Sequence, residues 1–251
     1  MTIAEHTTNP FMMIRTTIEA EIPSPGILTV SSALSADGKT GVAAGIARSL
    51  AAAGYTTLAI DAGGTGLHGI SVETAIERVG DSARRLAAGC DYIALAPDQA
   101  RAAAATTIAA FYDAIRARYD YAVVDASVIS DGGLALSRPA DGVVLAVREG
   151  RAVTDLDRDA VQLFERMRVR FLGVIATRDA GAPGETGPLS LLEYLQDAQP
   201  PRRIPAGVDE PVRGAAYERF VQRSAARLNQ LYASRGVAYD RLRRLFSRTG
   251  V

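Results

Sequence analysis

Lysine is nearly absent from this chain: Lys39 is the single one among 28 basic residues, so arginine fills the other positions. Cysteine is equally scarce. The lone Cys90 excludes an internal disulfide framework and a cysteine-rich zinc site, and it fits a reducing cytoplasm. Beside an apolar strand it reads as a packing residue. Neither sign of charge is in excess: 28 cationic and 28 anionic side chains, with a pI near 6.8, leave no surplus to draw nucleic acid over the surface. No apolar run approaches the roughly 18 residues that a membrane helix needs. Met1 to Pro10 has neither a basic start nor an apolar centre, so nothing there directs secretion. A cytoplasmic protein is expected, and any membrane association would come through a partner.

What is present is the composition of a globular α/β protein, 48% hydrophobic over 251 residues, enough for one sizeable core. Residues 1–26 read as an N-terminal extension that ends in the breaker Pro23-Ser24-Pro25-Gly26. From 27 to 251 the pattern is that of one domain. Short apolar runs at 27–30, 57–61, 92–95, 121–125, 143–147 and 171–175 alternate with helical segments at 42–53, near 71–88, 101–117 and 153–168. Nearly continuous apolar strands separated by helices predict a mostly parallel sheet flanked by helices on both faces. Gly- and Pro-rich sequence from Ala180 to Gly187 predicts an exposed loop, and C-terminal helices are expected from about 188, arginine-rich over 211–247. Acidic residues interleave with those arginines, which marks a solvated face.

The single lysine lies in Ser35-Ala36-Asp37-Gly38-Lys39-Thr40-Gly41, directly after the first apolar run and at the start of a helical pattern. Strand, loop and helix in that order make a phosphate-binding loop. A compact ammonium on a flexible stem reaches between phosphate oxygens inside a tight loop, which a broad guanidinium does less well. Ala33 stands where the G-x-x-x-x-G-K-[ST] pattern has its first glycine. Backbone N–H groups of 36–41 would still wrap a phosphate at the helix N-terminus. Thr40 would offer its hydroxyl to Mg²⁺, and Gly41 gives the backbone room. Magnesium also needs carboxylates. Asp61 and Asp125 each end an apolar strand, where ligands bind in open α/β sheets. Asp61 would orient a nucleophile or a metal-bound water, and Asp125 would lie on the metal side.

These motifs, from about Phe11 to Ala180, resemble the bacterial tyrosine kinases of capsular and exopolysaccharide synthesis, a branch of the MinD/ParA-type P-loop ATPases. Arg15-Thr16-Thr17-Ile18 resembles the family's stretch before its first strand. Leu28 to Thr40 resembles its first nucleotide motif, Leu58-Ala59-Ile60-Asp61-Ala62 its Walker A′ segment, and Tyr119 to Asp125 its Walker B segment. Ser130-Asp131 and Ala140 through Arg148 follow with the family's spacing. The resemblance implies a P-loop fold, ATP and Mg²⁺ as cofactors, Lys39, Asp61 and Asp125 as catalytic residues, and Thr40, Asp61 and Asp125 as metal ligands. It also implies a membrane polysaccharide co-polymerase or chain-length regulator as partner.

The chain departs from the family at several places. Gly63 stands where the A′ segment has a second aspartate, and Ala126-Ser127 follows Asp125 in place of T-P-P. The E-x-x-R-x-x-R pattern of ring assembly is reduced to Asn9, Met12 and Arg15, which argues against the family's ring while leaving a homo-oligomer open. Tyr217, Tyr232 and Tyr239 are dispersed rather than clustered in a tail. Thr177 occupies the place where the wider superfamily often reads adenine with asparagine. Partitioning ATPases use a second lysine five positions before the loop lysine, and that position is Leu34 here. Two readings follow: an ATP-hydrolysing or phosphoryl-transferring enzyme, and a catalytically weak nucleotide sensor acting on a membrane partner.

Overall fold

A computed structural model describes residues 10–35, 37–63, 69–149, 152, 154–177 and 190–196. One of its inner strands is β1 (Gly26–Ser32), every residue of which is buried. Such a strand has helices on both faces, and the composition Gly-Ile-Leu-Thr-Val-Ser-Ser leaves no charge to expose. Around it lie β2 (Thr57–Asp61), β3 (Arg84–Arg85), β4 (Asp91–Ala94), β5 (Tyr121–Asp125), β6 (Gly142–Arg148) and β7 (Phe171–Thr177). The order across the sheet is β3-β4-β2-β5-β1-β6-β7. All pairs are parallel except the two-residue edge β3 with β4.

Side chains alternate across the sheet, and the core divides accordingly. On one face Leu28, Val30, Ala59, Val123, Val144 and Ala146 pack under α1 (Pro10–Glu21), α2 (Lys39–Ala52) and α8 (Leu191–Gln196). On the other, Ile27, Leu58, Ile60, Ala122 and Val124 pack under α3 (Val72–Ser82), α4 (Pro97–Ala102), α5 (Ala105–Arg116) and α6 (Gly133–Ser137). Val143, Leu145 and Val147 continue that second face under α7 (Asp155–Arg166). Both layers bury aliphatic side chains almost completely, each worth roughly 1.5–3 kcal/mol relative to exposure.

The chain reverses direction across the sheet at β1, which has β5 on one side and β6 on the other. That makes the crevice beyond the C-terminal ends of these strands the topological switch point, where open α/β sheets bind ligands.

The expected strands all form, two with unchanged bounds and the others with ends moved by one or two residues. Two helical expectations change. The segment near 71–88 stops at Ser82, because Arg84–Arg85 turns back at Gly89 (φ 83°) to pair with Asp91 and Tyr92. The segment at 101–117 is two helices, broken at Ala103 and Ala104, both in extended conformation. Before β1, α1 lies on α2, with Ile18 and Ile22 buried in the shared core. The Phe11 ring fills the space that a side chain at Gly45 would occupy. Cys90 is fully buried, and burial raises its thiol pKa, as a packing role requires. The expected loop at 180–187 and the helices over 211–247 lie outside the described residues. No helix among the described residues is long and apolar enough to cross a membrane.

Candidate functional site

The loop after β1 turns into α2 at Gly38, whose φ of 72° is left-handed and easily reached only without a Cβ. Gly38 is the N-cap residue and supplies no side-chain hydrogen bond to α2. The N-terminal N–H groups of α2 are therefore not capped by that residue, the condition in which a helix end accepts an anion. Lys39 and Thr40 open the helix, both half-buried, while Ser35 is exposed. Ala36 lies outside the described residues.

Asp37 is almost completely buried. Its Oδ1 accepts from the backbone N–H of Arg148 at 3.3 Å, and its carbonyl accepts from the Thr177 hydroxyl at 2.8 Å. The loop is thus fastened to the ends of β6 and β7. Thr177 is 3.1 Å from the position of a Cβ on Gly38, so this residue holds the loop and has its hydroxyl engaged.

On the opposite side of β1, Asp61 and Asp125 end adjacent parallel strands as direct partners in register. Both are buried, at 3% and 1% exposure, which is rare for carboxylates without a cation or donors. The Lys39 ammonium and the Thr40 hydroxyl both lie near enough to Asp125 to favour its ionised form. Burial outweighs both and, with the neighbouring Asp61, lifts the Asp125 pKa to about 7. Among the described residues Asp125 Oδ1 is buried with no hydrogen-bond partner.

An orphaned buried carboxylate oxygen beside a threonine hydroxyl and a second carboxylate is a donor set that fits Mg²⁺, an ion that takes oxygen ligands and keeps waters and phosphate oxygens among them. No cluster of three or more ligating side chains exists among the described residues. A metal here would accordingly share its coordination sphere with phosphate.

The structure brings Lys39, Thr40, Asp61 and Asp125 to one end of the sheet. Gly41 lies there too, and a Cβ at that position would be 3.6 Å from the Tyr194 ring of α8. Sequence reasoning missed Tyr194, whose phenol pKa is raised by burial and by Asp125. It also missed Tyr92, whose hydroxyl donates to Asp61 Oδ2 at 3.4 Å. Neither carries a local motif, and only the sheet order and the fold of α8 place them. Gly63 gives a third surprise. A Cβ there would lie 2.6 Å from the backbone of Ala126 and Ser127, so the loops after β2 and β5 touch where the resembling family carries its second aspartate.

No family model matches the sequence, and no curated protein matches it. Solved structures do. The kinase domain of the Escherichia coli tyrosine kinase ETK superposes with a TM-score of 0.53 at 17% identity, covering 65% of this chain and 72% of that one. The chimerical protein CapA2B2 gives 0.57 at 20%, covering 66% and 82%. The VpsO kinase domain gives 0.53 at 21%, covering 68% and 95%. The fold is that of these kinase domains. It is the P-loop NTPase fold that the resemblance implied, with seven strands where six apolar runs were expected, the seventh being the edge pair Arg84–Arg85.

Proposed function

We propose that this chain binds ATP with Mg²⁺ and hydrolyses it, or transfers its phosphoryl group, in the control of polysaccharide synthesis or export. The observation that carries this reading is the buried in-register pair Asp61 and Asp125, set against Lys39 and Thr40 with one oxygen of Asp125 unpartnered. A folded chain keeps such an electrostatically costly arrangement where a cationic ligand will complete it.

In this reading the N–H groups of 36–41 and the Lys39 ammonium hold the triphosphate. Thr40, Asp125 and Asp61 hold the metal, directly or through water, and the metal supplies charge neutralisation at the phosphates. Asp61 also orients the attacking hydroxyl or water. Phosphoryl transfer needs little beyond such positioning and charge stabilisation. The partner is a membrane polysaccharide co-polymerase or chain-length regulator, the setting of the proteins that the sequence resembles. Any self-association would be something other than their ring.

The contact at Gly63 favours a second reading, a nucleotide sensor with weak turnover, because it leaves no space for a further carboxylate. Fluorescent-nucleotide titration tests the site: Lys39→Ala is expected to abolish binding, and unchanged affinity would sink the phosphate-loop reading. Turnover of radiolabelled ATP, with and without Asp61→Ala, then separates enzyme from sensor. Tight binding with no phosphate released or transferred leaves the sensor.

A further inference from the structure

A tyrosine hydroxyl drawn into a fold ordinarily finds an acceptor. Tyr112, Tyr121, Tyr119 and Tyr92 each do, on the Leu136 carbonyl, the Ile22 carbonyl, Asp91 Oδ2 and Asp61 Oδ2. Tyr55 has none among the described residues, but its ring meets Tyr121 edge-on beside the start of β2, away from the switch point. Tyr194 is different. It is half-buried, its hydroxyl has no acceptor among the described residues, and it stands beside the phosphate loop.

The fold holds it there deliberately. A helix as short as α8 keeps its shape only through caps and packing. Ser190 and Glu193 form a reciprocal cap: the Ser190 N–H and hydroxyl donate to Glu193 Oε2 at 2.7 and 2.9 Å, and the Glu193 N–H donates to Ser190 Oγ at 3.3 Å. Leu191 and Leu195 are buried in the core that α2 shares. Tyr194, three residues beyond Leu191, lies on that same side and packs against the same core. Its ring addresses the first turn of α2, with Cε1 and Cζ at 3.6 Å and the hydroxyl oxygen at 3.8 Å from the position of a Cβ on Gly41. These are ordinary contact distances. The ring rests beside the turn, whereas one turn further along α2 the Phe11 ring is wedged into the place of a Gly45 side chain.

The backbone beneath the phenol belongs to the anion site. The Val42 N–H is taken by the Gly38 carbonyl at 3.2 Å, so the turn that can present N–H groups to an anion ends at Gly41. The phenol also lies near enough to Asp125 to feel its charge. We propose that Tyr194 is a nucleotide-binding residue, its hydroxyl donating to a phosphate oxygen seated over Gly41. In phosphate loops the backbone N–H groups cradle the α- and β-phosphates while the lysine reaches the β and γ. The phosphate that Tyr194 contacts is therefore one that ADP shares with ATP. A neutral donor suits the place, because it binds the anion without competing with Lys39 or a metal for the carboxylates. This inference rests on the proposed phosphate loop.

The test displaces a fluorescent nucleotide from the full chain with ADP and with ATP, in wild type, Tyr194→Phe, Tyr194→Ala and Lys39→Ala. Phenylalanine keeps the ring and removes only the donor. Tyr194→Phe is expected to weaken ADP and ATP by the same factor, roughly tenfold, the size of one hydrogen bond to a charged group. Wild-type affinity in Tyr194→Phe, with a loss in Tyr194→Ala alone, makes the ring a packing residue and overturns the proposal. A loss confined to ATP overturns it too, by moving the contact to the γ-phosphate.

Urea unfolding of the nucleotide-free protein gives a second readout. The hydroxyl has no acceptor to lose, so Tyr194→Phe should leave the midpoint where it is; a lowered midpoint would show a partner within the fold and defeat the assignment. Lys39→Ala separates this inference from the reading beneath it. Binding lost in Lys39→Ala but unaffected in Tyr194→Phe defeats the role of Tyr194 alone, and binding retained in Lys39→Ala defeats the phosphate loop and Tyr194 with it.

Discussion

The two sides of β1 are built on opposite terms. Toward β6 and β7, the loop is fully engaged: Asp37 accepts from Arg148, Thr177 donates to Asp37, and Gly38 turns under Thr177. Toward β5 and β2, two carboxylates sit buried side by side, one with an oxygen that no described residue satisfies. The first side fixes backbone. On the proposed reading, the second keeps polar capacity for a metal and phosphate. The difference between the two sides of one strand therefore separates the part that holds its shape from the part to which the proposed function assigns the ligand.

The largest effect expected from perturbing this contrast is at Asp125. Its carboxyl titrates near 7 in the folded chain and at an ordinary value when unfolded, so the unfolded chain releases its proton first. Stability contributed at this site falls as pH rises from about 4 to about 7, and is level above. Asp125→Asn should remove that dependence and stabilise the nucleotide-free protein at pH 8 by on the order of 3 kcal/mol, read from urea unfolding at pH 5 and pH 8. The same variant should lose the Mg²⁺ dependence of nucleotide affinity. A variant less stable than wild type at pH 8 would show that Asp125 is satisfied after all.

Next comes Gly63→Asp, which restores the missing carboxylate of the resembling kinases on paper. Its Cβ meets the backbone of Ala126 and Ser127, so it should cost about 1–3 kcal/mol of stability and leave ATP turnover no higher than wild type. Increased turnover in a stable variant would mean that the two loops separate readily.

On the engaged side, Gly38→Ala puts a Cβ at a left-handed residue and against Thr177, a penalty of roughly 1–2 kcal/mol that should appear as weaker nucleotide affinity. Smallest is Thr177→Val, which deletes the hydroxyl donated to Asp37 and should lower stability by about 1 kcal/mol. If Thr177→Val perturbs the protein more than Gly63→Asp does, the contrast between the two sides fails.

The sheet was legible because strands buried on both faces advertise themselves as apolar runs, and the runs ending in Asp61 and Asp125 formed with unchanged bounds. The strand, loop and helix around Lys39 were legible because an apolar run, glycines and a helical pattern follow one another there. Arg84 and Arg85 were not, since a helical pattern without a breaker continues on paper until an antiparallel partner claims it. Nor was the break at Ala103 and Ala104, because alanine is the best helix former and the change of direction depends on tertiary packing. Tyr92 escaped for the same kind of reason: its meeting with Asp61 spans 31 residues and exists only because β4 lies beside β2. The crowding at Gly63 is a fact about two loops, and a single-residue comparison shows only a lost charge.

Phe11 lies in the notch at Gly45, halfway along the helix that begins with Lys39. Six residues of α-helix separate that notch from the lysine, about 9 Å. A helix cannot slide or tilt while an aromatic ring is keyed into its flank, so α1 and α2 behave mechanically as a single lever. Displacement of the segment ahead of the sheet would be delivered to the loop that precedes α2.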